Sequence, residues 1–263
     1  MSELRANGLG VAAISYDSPE ILADFTRRFG ITFPLLSDTG SATIKKYGIL
    51  NAAAAATPGR EGIPFPGTFV VDRRQRVTSR FFEDSYVERN TTSSVMLKLG
   101  VGAALIAATR ISTGQLDIET FASDTSIAPG NRLSLSVRIQ PHARMHVYAP
   151  GVAGYRPVAL TIAAQPFVRV LPLAYPPSEI YFFKPLNERV PVYQKPFTLV
   201  QDVVVEGTRD AQAAWRGKET ITLSGTLDYQ ACDDKVCFNP ASVPLSWTLS
   251  LKPLVTERPA TRQ

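Results

Sequence analysis

The sequence has little cysteine, little histidine and no long apolar segment. Its 263 residues include two cysteines and two histidines, which excludes the disulfide-dense scaffolds of small secreted domains. The most apolar stretch, 99–108, is about half as long as the roughly 20 residues that a membrane-spanning helix needs. Residues 1–10 lack the basic and apolar regions of a signal peptide. These absences predict a soluble chain with no integral membrane segment.

The chain also lacks a concentrated patch of charge of either sign. The 28 basic and 23 acidic residues give a net charge of +5. The basic residues form no run longer than pairs such as Arg27-Arg28 and Arg73-Arg74, which is typical of solvated surface and not of a nucleic-acid interface. We therefore expect no nucleic-acid partner. A hydrophobic content of 44% is ordinary for globular protein, and the length favours two domains.

The first third of the chain alternates predicted strands and helices. The clearest helix begins at Asp17-Ser18-Pro19-Glu20, which supplies a capping side chain, a proline in the first turn and an acid near the N-terminus, and it ends at Gly30. Strands are predicted over 8–16, 31–36, 67–72 and 76–82, further helices over 37–48 and 86–97, and a loop over 51–62. This alternation indicates an α/β layer over residues 1–97.

The pattern changes after residue 97. Residues 98–114 are predicted to form a linker. Between 115 and 253, apolar and polar residues alternate in runs such as 133–139, 221–229 and 243–251, with prolines in the intervening segments. Period-two alternation with turn residues between the runs predicts an all-β antiparallel sandwich. Residues 254–263 are predicted to be a tail.

Several segments of the first domain, in order, resemble a known redox family. They are GVAAISYDSPEILADFTRRFGITFPLLSD, then KKYGIL, then PFPGTFVVDRRQRV, and the resemblance that they carry extends over about residues 8–97. Together they resemble the later part of the AhpC/TSA, or peroxiredoxin-like, family. The resemblance implies a partial thioredoxin-like domain that lacks the family's active-site segment. It also implies that the natural polypeptide is longer than this sequence, or that this half is poorly behaved alone.

Two positions depart from the family's pattern. The chain has no cysteine before Cys232, so its first domain lacks the thiolate nucleophile that peroxide reduction requires. Pro66 stands where the peroxidase members have an arginine. This proline is similar to the cis-proline beside the active site of thioredoxin-like domains, and the alternative is an ordinary strand-edge proline.

The two cysteines lie five positions apart, in YQACDDKVCFNP. An extended strand would separate Cys232 from Cys237 by about 16 Å, so a disulfide requires the chain to turn back at Asp233-Asp234. The residues alone leave three possibilities open: a reactive disulfide, a structural disulfide, or two reduced thiols. A metal site would need two more ligands, and His142 and His146 are distant in sequence. We therefore expect neither a metal nor another cofactor.

The same motif resembles that of the N-terminal domain of DsbD, the thiol:disulfide interchange protein, over residues 115–253. The resemblance implies an immunoglobulin-like sandwich in which Cys237 exchanges with a partner sulfur and Cys232 resolves the mixed disulfide. It places His146 and Tyr148 near the cysteines. It also implies an aromatic cap that shields the disulfide, with Phe182 and Phe183 as candidates and Tyr181 as the alternative. These aromatic residues could equally be ordinary core.

Three functions follow from these observations. The first is a thiol–disulfide oxidoreductase, an electron-relay module whose partners are thioredoxin-like or DsbD-type redox proteins in the periplasm. The second is a peroxiredoxin-like antioxidant protein in its full-length form. The third is a non-catalytic protein-binding module with a structural disulfide.

Overall fold

The computed structural model describes residues 2–83, 85, 87–101, 108–183 and 187–253. The chain divides into two compact units, Met1–Arg89 and Asn90–Pro253. No helix in the described ranges is long and apolar enough to cross a membrane. The predicted tail and the middle of the predicted linker lie outside the described residues.

The first unit contains short helices and two small sheets. Its elements are α1 (Ser2–Ala6), β1 (Ala13–Ser15), α2 (Pro19–Phe29), β2 (Leu35–Ser37), α3 (Ala42–Lys46), α4 (Ala52–Ala55), β3 (Gly67–Val71) and β4 (Val77–Phe82). Strands β1 and β2 pair in parallel, and β3 and β4 form an antiparallel hairpin. This confirms the partial α/β thioredoxin-like pattern, although α4 forms where a loop was predicted.

Helix α2 begins and ends as its sequence predicts. The Ser18 side chain accepts a hydrogen bond from the backbone N–H of Ile21, and Pro19 occupies the first turn. Gly30 adopts the left-handed conformation with φ of 60°, and its N–H donates to the carbonyl of Thr26. The cap residues therefore fix both ends of this helix locally.

The prediction of a cis-proline at Pro66 is wrong. No peptide bond in the described part of the chain is cis. Trans is the default for X–Pro bonds by about 0.5–1 kcal/mol. Pro66 lies directly before β3, which pairs with β4 alone among the described strands, so its missing N–H interrupts no ladder. The alternative of a strand-edge proline is the one that the structure adopts.

The first unit buries few large apolar side chains. Leu22 and Ile44 are buried, whereas many others in its described part are more than 40% exposed. The exposed set includes Ile14, Ile21, Phe25, Phe29, Leu36, Tyr47 and Phe65. Because apolar burial provides most of the driving force for folding, we expect this unit to be the less stable of the two.

The second unit is the predicted all-β sandwich. Its elements are β5 (Arg89–Asn90), α5 (Thr92–Lys98), β6 (Thr109–Ser112), β7 (Leu116–Ala122), β8 (Ser126–Ile127), β9 (Asn131–Pro141), β10 (His146–Tyr148), β11 (Ala159–Ile162), β12 (Val168–Val170), β13 (Glu179–Phe183), β14 (Glu188–Tyr193), β15 (Phe197–Val205), α6 (Arg209–Trp215), β16 (Thr220–Tyr229), β17 (Ala231–Cys232) and β18 (Ala241–Leu251).

These strands form three sheets. One has the order β12-β15-β9-β7-β6, with β5 also paired to β9; the second is β11-β16-β18-β8. Alternate residues of β16 and β18, such as Leu223 and Leu249, are buried against Leu135 and Leu199 of the first sheet in one apolar core. The third sheet, β13-β14-β10-β17, carries both the cysteine hairpin and the predicted cap strand.

Helix α5 packs on the sandwich. Ser94 hydrogen-bonds Ser134 of β9 at 2.8 Å, and Lys98 forms a salt bridge to Asp202 of β15 at 2.7 Å. These contacts explain why both the apolar and the polar residues of β9 between 133 and 137 are buried. The compact second unit begins at Asn90, and the domain boundary at residue 97 remains a prediction. Tyr86, at the start of the predicted helix, lies outside the described residues.

Candidate functional site

The two cysteines face each other across a tight β-hairpin and form a disulfide. Their Cα atoms are 4.0 Å apart. The Asp233 N–H donates to the Val236 carbonyl, and the Phe238 N–H donates to the Ala231 carbonyl, each at 2.9 Å. The cysteines thus occupy the position between two hydrogen-bonded pairs, where strand residues approach each other most closely. The hairpin therefore brings the two sulfurs together.

Asp233 builds the turn of this hairpin. Its Oδ1 accepts hydrogen bonds from the backbone N–H groups of Val236 and Lys235, both at 2.7 Å. These bonds lower the pKa of Asp233. The carboxylate consequently stays charged and closes the turn, as an aspartate that hydrogen-bonds the backbone two residues onward does.

The two sulfurs differ in exposure. Cys232 is 1% exposed and packs in a small apolar cluster with Tyr148, Val190 and Val192. Cys237 is exposed, and the preceding Val236 is 57% exposed. An incoming thiolate can therefore reach Cys237, whereas Cys232 is covered.

The Tyr148 hydroxyl lies within hydrogen-bonding distance of both sulfurs of the disulfide. Its hydroxyl lies 3.1 Å from Cys232 Sγ and 3.4 Å from Cys237 Sγ. Burial, together with the neighbouring Tyr155 and Glu188, raises the pKa of Tyr148 well above its ordinary value of 10.0. The hydroxyl keeps its proton at physiological pH and can donate a hydrogen bond to a sulfur that carries charge.

Two supporting residues were not predicted from the sequence. The Tyr155 ring stacks on that of Tyr148, with centroids 4.2 Å apart. The Tyr155 hydroxyl donates to Glu188 Oε2 at 2.8 Å, and this bond raises the pKa of Tyr155. Neither residue lies in the cysteine motif, so only the packing of β10 against β14 and the loop before β11 identifies them.

The predicted cap strand places two of its three aromatic side chains at the site. Tyr181 and Phe183 line a shallow, open pocket that is also lined by both cysteines. The Tyr181 hydroxyl donates to Asp234 Oδ1 at 3.1 Å. Phe182, predicted as part of the cap, lies instead on the opposite face beside Arg189, because successive strand residues alternate in direction. Tyr181, the alternative candidate, makes the contact with the cysteine hairpin.

His146 is buried directly beside the disulfide. It is the cross-strand partner of Cys232 and is 2% exposed. Its ring lies 4.7 Å from that of Tyr181 and meets Tyr148 edge-on at 5.5 Å. Burial lowers the pKa of His146, and the charges of Asp234 and Asp233 oppose this only in part. The imidazole is therefore neutral at physiological pH.

Among the described residues, no cluster of three or more His, Cys, Asp or Glu side chains could hold a metal ion. His142, the other histidine, lies 3.2 Å from Asp117 and hydrogen-bonds the Gly114 carbonyl. His142 does not line the cysteine pocket. The described site offers the chemistry of its two sulfurs, its tyrosine hydroxyls, the His146 imidazole and the charged groups of Asp233 and Lys235.

Residues 1–80 match the AhpC/TSA family, which confirms the resemblance found in the first domain. No curated protein matches the chain. Similar solved structures include the N-terminal periplasmic domain of ScsB from Proteus mirabilis (13% identity, TM-score 0.39, 52% of this chain and 49% of that chain) and the reduced DsbD N-terminal domain from Neisseria meningitidis (14% identity, TM-score 0.29, 44% of this chain and 81% of that chain). The chain thus spans about half the length of the ScsB domain.

Proposed function

We propose that the second unit exchanges its Cys232–Cys237 disulfide with the dithiol of a partner protein. The observation that carries this proposal is the asymmetry of the pair. Cys237 is exposed, whereas Cys232 is buried within 3.1 Å of the Tyr148 hydroxyl. Exchange needs one sulfur that a nucleophile can reach and one that leaves into a site able to stabilise it.

The exchange proceeds through a mixed disulfide. A partner thiolate attacks Cys237 Sγ, the bond between Cys237 and Cys232 breaks, and its electron pair passes to Cys232 Sγ. The second partner thiolate then attacks the partner sulfur bound to Cys237 and releases Cys237 as a thiolate. The partner dithiol becomes a disulfide, and the pair gains two electrons. The reverse sequence passes these electrons to another protein.

Two tyrosines have distinct roles in this scheme. Tyr148 donates a hydrogen bond to the sulfur that becomes negative, which favours its departure. Tyr181 ties the cap strand to the hairpin through Asp234. Cys237 stays exposed beside this contact, so a partner thiolate reaches its sulfur without displacing the cap strand.

The partner class and the compartment follow from the same proposal. The partner is a thioredoxin-like or DsbD-type redox protein, and the compartment is the periplasm, because a reactive disulfide persists only where the thiol pool permits it. Residues 1–97 contain no cysteine, so the first unit supplies no sulfur for either exchange or peroxide reduction. An antioxidant role would need a cysteine outside this sequence, and a binding module with a structural disulfide is the alternative outcome of the redox titration.

A redox titration tests this function. The protein is equilibrated with mixtures of reduced and oxidised glutathione, quenched with acid, alkylated and weighed by mass spectrometry. We expect a midpoint more oxidising than about −300 mV, below which structural disulfides typically fall. A pair that stays closed throughout the series, or thiols that never pair, would leave only the binding module.

Removal of the Tyr148 hydroxyl should slow reduction. In Tyr148→Phe the ring stack with Tyr155 remains, but the hydrogen bond to the departing sulfur is lost. Hydrogen bonds to charged groups contribute about 1.5–3 kcal/mol, so we expect reduction by dithiothreitol to be at least about tenfold slower. The matched control is Tyr193→Phe, which removes a hydroxyl that donates to the Pro176 carbonyl away from the cysteine pocket. Equal rates in the two variants would contradict the role given to Tyr148.

A further inference from the structure

His146 is a buried, ionisable side chain at the site that the exchange scheme does not use. It is the cross-strand neighbour of Cys232, so the two side chains emerge on the same face of the sheet. Cys237 is in turn the cross-strand neighbour of Cys232 on the hairpin. The imidazole and the two sulfurs therefore form one row across the face, with the buried sulfur in the middle.

One ring nitrogen of His146 is available for chemistry. His146 Nδ1 is buried and has no hydrogen-bond partner among the described residues. A buried polar atom without a partner costs about 1–3 kcal/mol, so a folded protein seldom retains one without a reason. Here the unpartnered atom belongs to a side chain that lines the same pocket as both sulfurs.

The buried sulfur needs a partner for its proton. A thiolate at Cys232 loses its hydration, and the nearest charged groups on the hairpin are the carboxylates of Asp233 and Asp234, which oppose a second negative charge. Lys235 lines the pocket, but it is exposed. Tyr148 can donate a hydrogen bond to the thiolate but keeps its own proton. The imidazole is the described group beside Cys232 that can both take up and return a proton near neutral pH.

We propose that His146 is the base that takes the proton from the Cys232 thiol when Cys232 resolves a mixed disulfide. This inference rests on the proposed function and adds to it the path that the Cys232 thiol proton takes. The Cys232 proton passes to the imidazole of His146, Cys232 Sγ attacks Cys237 Sγ, and the bond from Cys237 to the partner breaks with its electron pair on the partner sulfur. In the reverse direction, the imidazolium returns the proton to Cys232 as it departs.

The surroundings of His146 suit a base. The groups that face it are Tyr148 on its own strand, Cys232 on β17, Tyr181 on β13, and Asp233 and Asp234 on the hairpin. Burial lowers its pKa from the ordinary 6.5, so the ring is neutral at pH 7 and ready to accept a proton. The two carboxylates stabilise the imidazolium once it forms. The resolving step should consequently slow as the pH falls through the pKa of the ring, which lies below the ordinary 6.5.

The reaction of the reduced protein with 5,5′-dithiobis(2-nitrobenzoic acid) separates the two steps. Attack by Cys237 releases one equivalent of coloured thiolate at a rate that depends on reagent concentration. Resolution by Cys232 releases the second at a rate independent of concentration. General base catalysis contributes about 10²–10⁴-fold. In His146→Gln we expect the second phase to be at least tenfold slower at pH 7, with the first phase changed less than about twofold.

The pH profile distinguishes a base from a packing residue. In the wild type the second phase should lose rate as the pH falls through the lowered pKa of His146, whereas in His146→Gln that inflection disappears and the rate rises only as the thiol itself ionises, near pH 8.5 for an ordinary cysteine. His146→Phe keeps the aromatic packing with Tyr181 and should behave like the glutamine variant. His142→Gln, the matched control at the other histidine, should behave like wild type.

Each remaining outcome decides a separate question. A second phase with the wild-type rate and profile in both His146 variants would overturn the role of His146 and leave the proposed function intact. A profile that keeps its acid inflection while the rate falls would show that His146 only packs, and would also overturn it. If the wild-type protein releases only one equivalent of thiolate and retains the mixed disulfide, Cys232 does not resolve, and the proposed function itself fails.

Discussion

Cys237→Ser should abolish exchange with protein dithiols, whereas Cys232→Ser should trap the exchange halfway. Without Cys237 the remaining sulfur is 1% exposed, so a partner disulfide cannot reach it. Without Cys232 the exposed Cys237 still attacks, but no second sulfur displaces the partner, and a covalent complex accumulates. Non-reducing electrophoresis and mass spectrometry of each variant with an oxidised thioredoxin-like protein would show a mixed disulfide for Cys232→Ser alone.

The contrast between the two variants makes this test specific. The reverse pattern, with a complex trapped by Cys237→Ser, would exchange the roles of the two sulfurs and contradict the inference from exposure. The double variant controls for non-covalent binding, because the binding-module alternative predicts that it retains the partner.

The second large effect is a loss of folding stability on removal of the Asp202 carboxylate. Asp202 lies on β15, in a different sheet from the cysteine hairpin. The Asp202 carboxylate is 8% exposed and accepts hydrogen bonds from Lys98 Nζ and Ser134 Oγ at 2.7 Å and from Arg132 Nη2 at 2.6 Å. In Asp202→Ala two cations would stay partly buried without their counter-charge. Removing one partner of a buried ion pair costs about 3–5 kcal/mol, so we expect a loss of this size from the free energy of unfolding, measured by urea denaturation.

Asp117→Ala is the matched control for this prediction. Asp117 pairs with Ser112 and His142, but its side chain is 56% exposed, so its removal should cost less than about 1 kcal/mol. If Asp202→Ala and Asp117→Ala lose the same free energy of unfolding, the prediction that burial makes the Asp202 ion pair more stabilising is contradicted. Asp202→Asn, which keeps the shape and loses the charge, separates the ionic contribution from packing.

The same carboxylate predicts an acid dependence. Burial alone would raise the pKa of Asp202, but the hydrogen bonds from Lys98 and Ser134 outweigh it and hold that pKa below the ordinary 3.8. A group whose pKa is depressed on folding contributes stability above its unfolded value and loses it as the pH falls through the folded value. The stability difference between the wild type and Asp202→Ala should therefore be constant at neutral pH and narrow below about pH 4.

Local chemistry made part of the site predictable. A disulfide between residues five apart requires a reversal of the chain, and Asp233 supplies it through hydrogen bonds to the next two or three residues. The caps of α2 are equally local. These features depend on residues within one turn of each other, so the sequence alone predicts them.

The residues that the sequence did not identify all depend on distant parts of the chain. Tyr155 and Glu188 reach Tyr148 from separate segments. Phe182 was assigned to the cap because a motif does not fix the register of a strand, and a shift of one residue reverses which side chains face the site. Helix α5 was grouped with the first domain, but its contacts with Ser134 and Asp202 join residues 40 and 104 positions apart.

The sequence by itself determined the division into an α/β segment and an all-β sandwich, and it required a turn at Asp233-Asp234 if the two cysteines pair, because hydrophobic period and turn chemistry act over a few residues. Only the tertiary structure decided which sulfur is exposed, that Tyr148 and His146 flank the buried one, and that Pro66 follows a trans peptide bond. Those properties depend on which strands pair and which side chains exclude water, and pairing between distant strands cannot be read from local pattern.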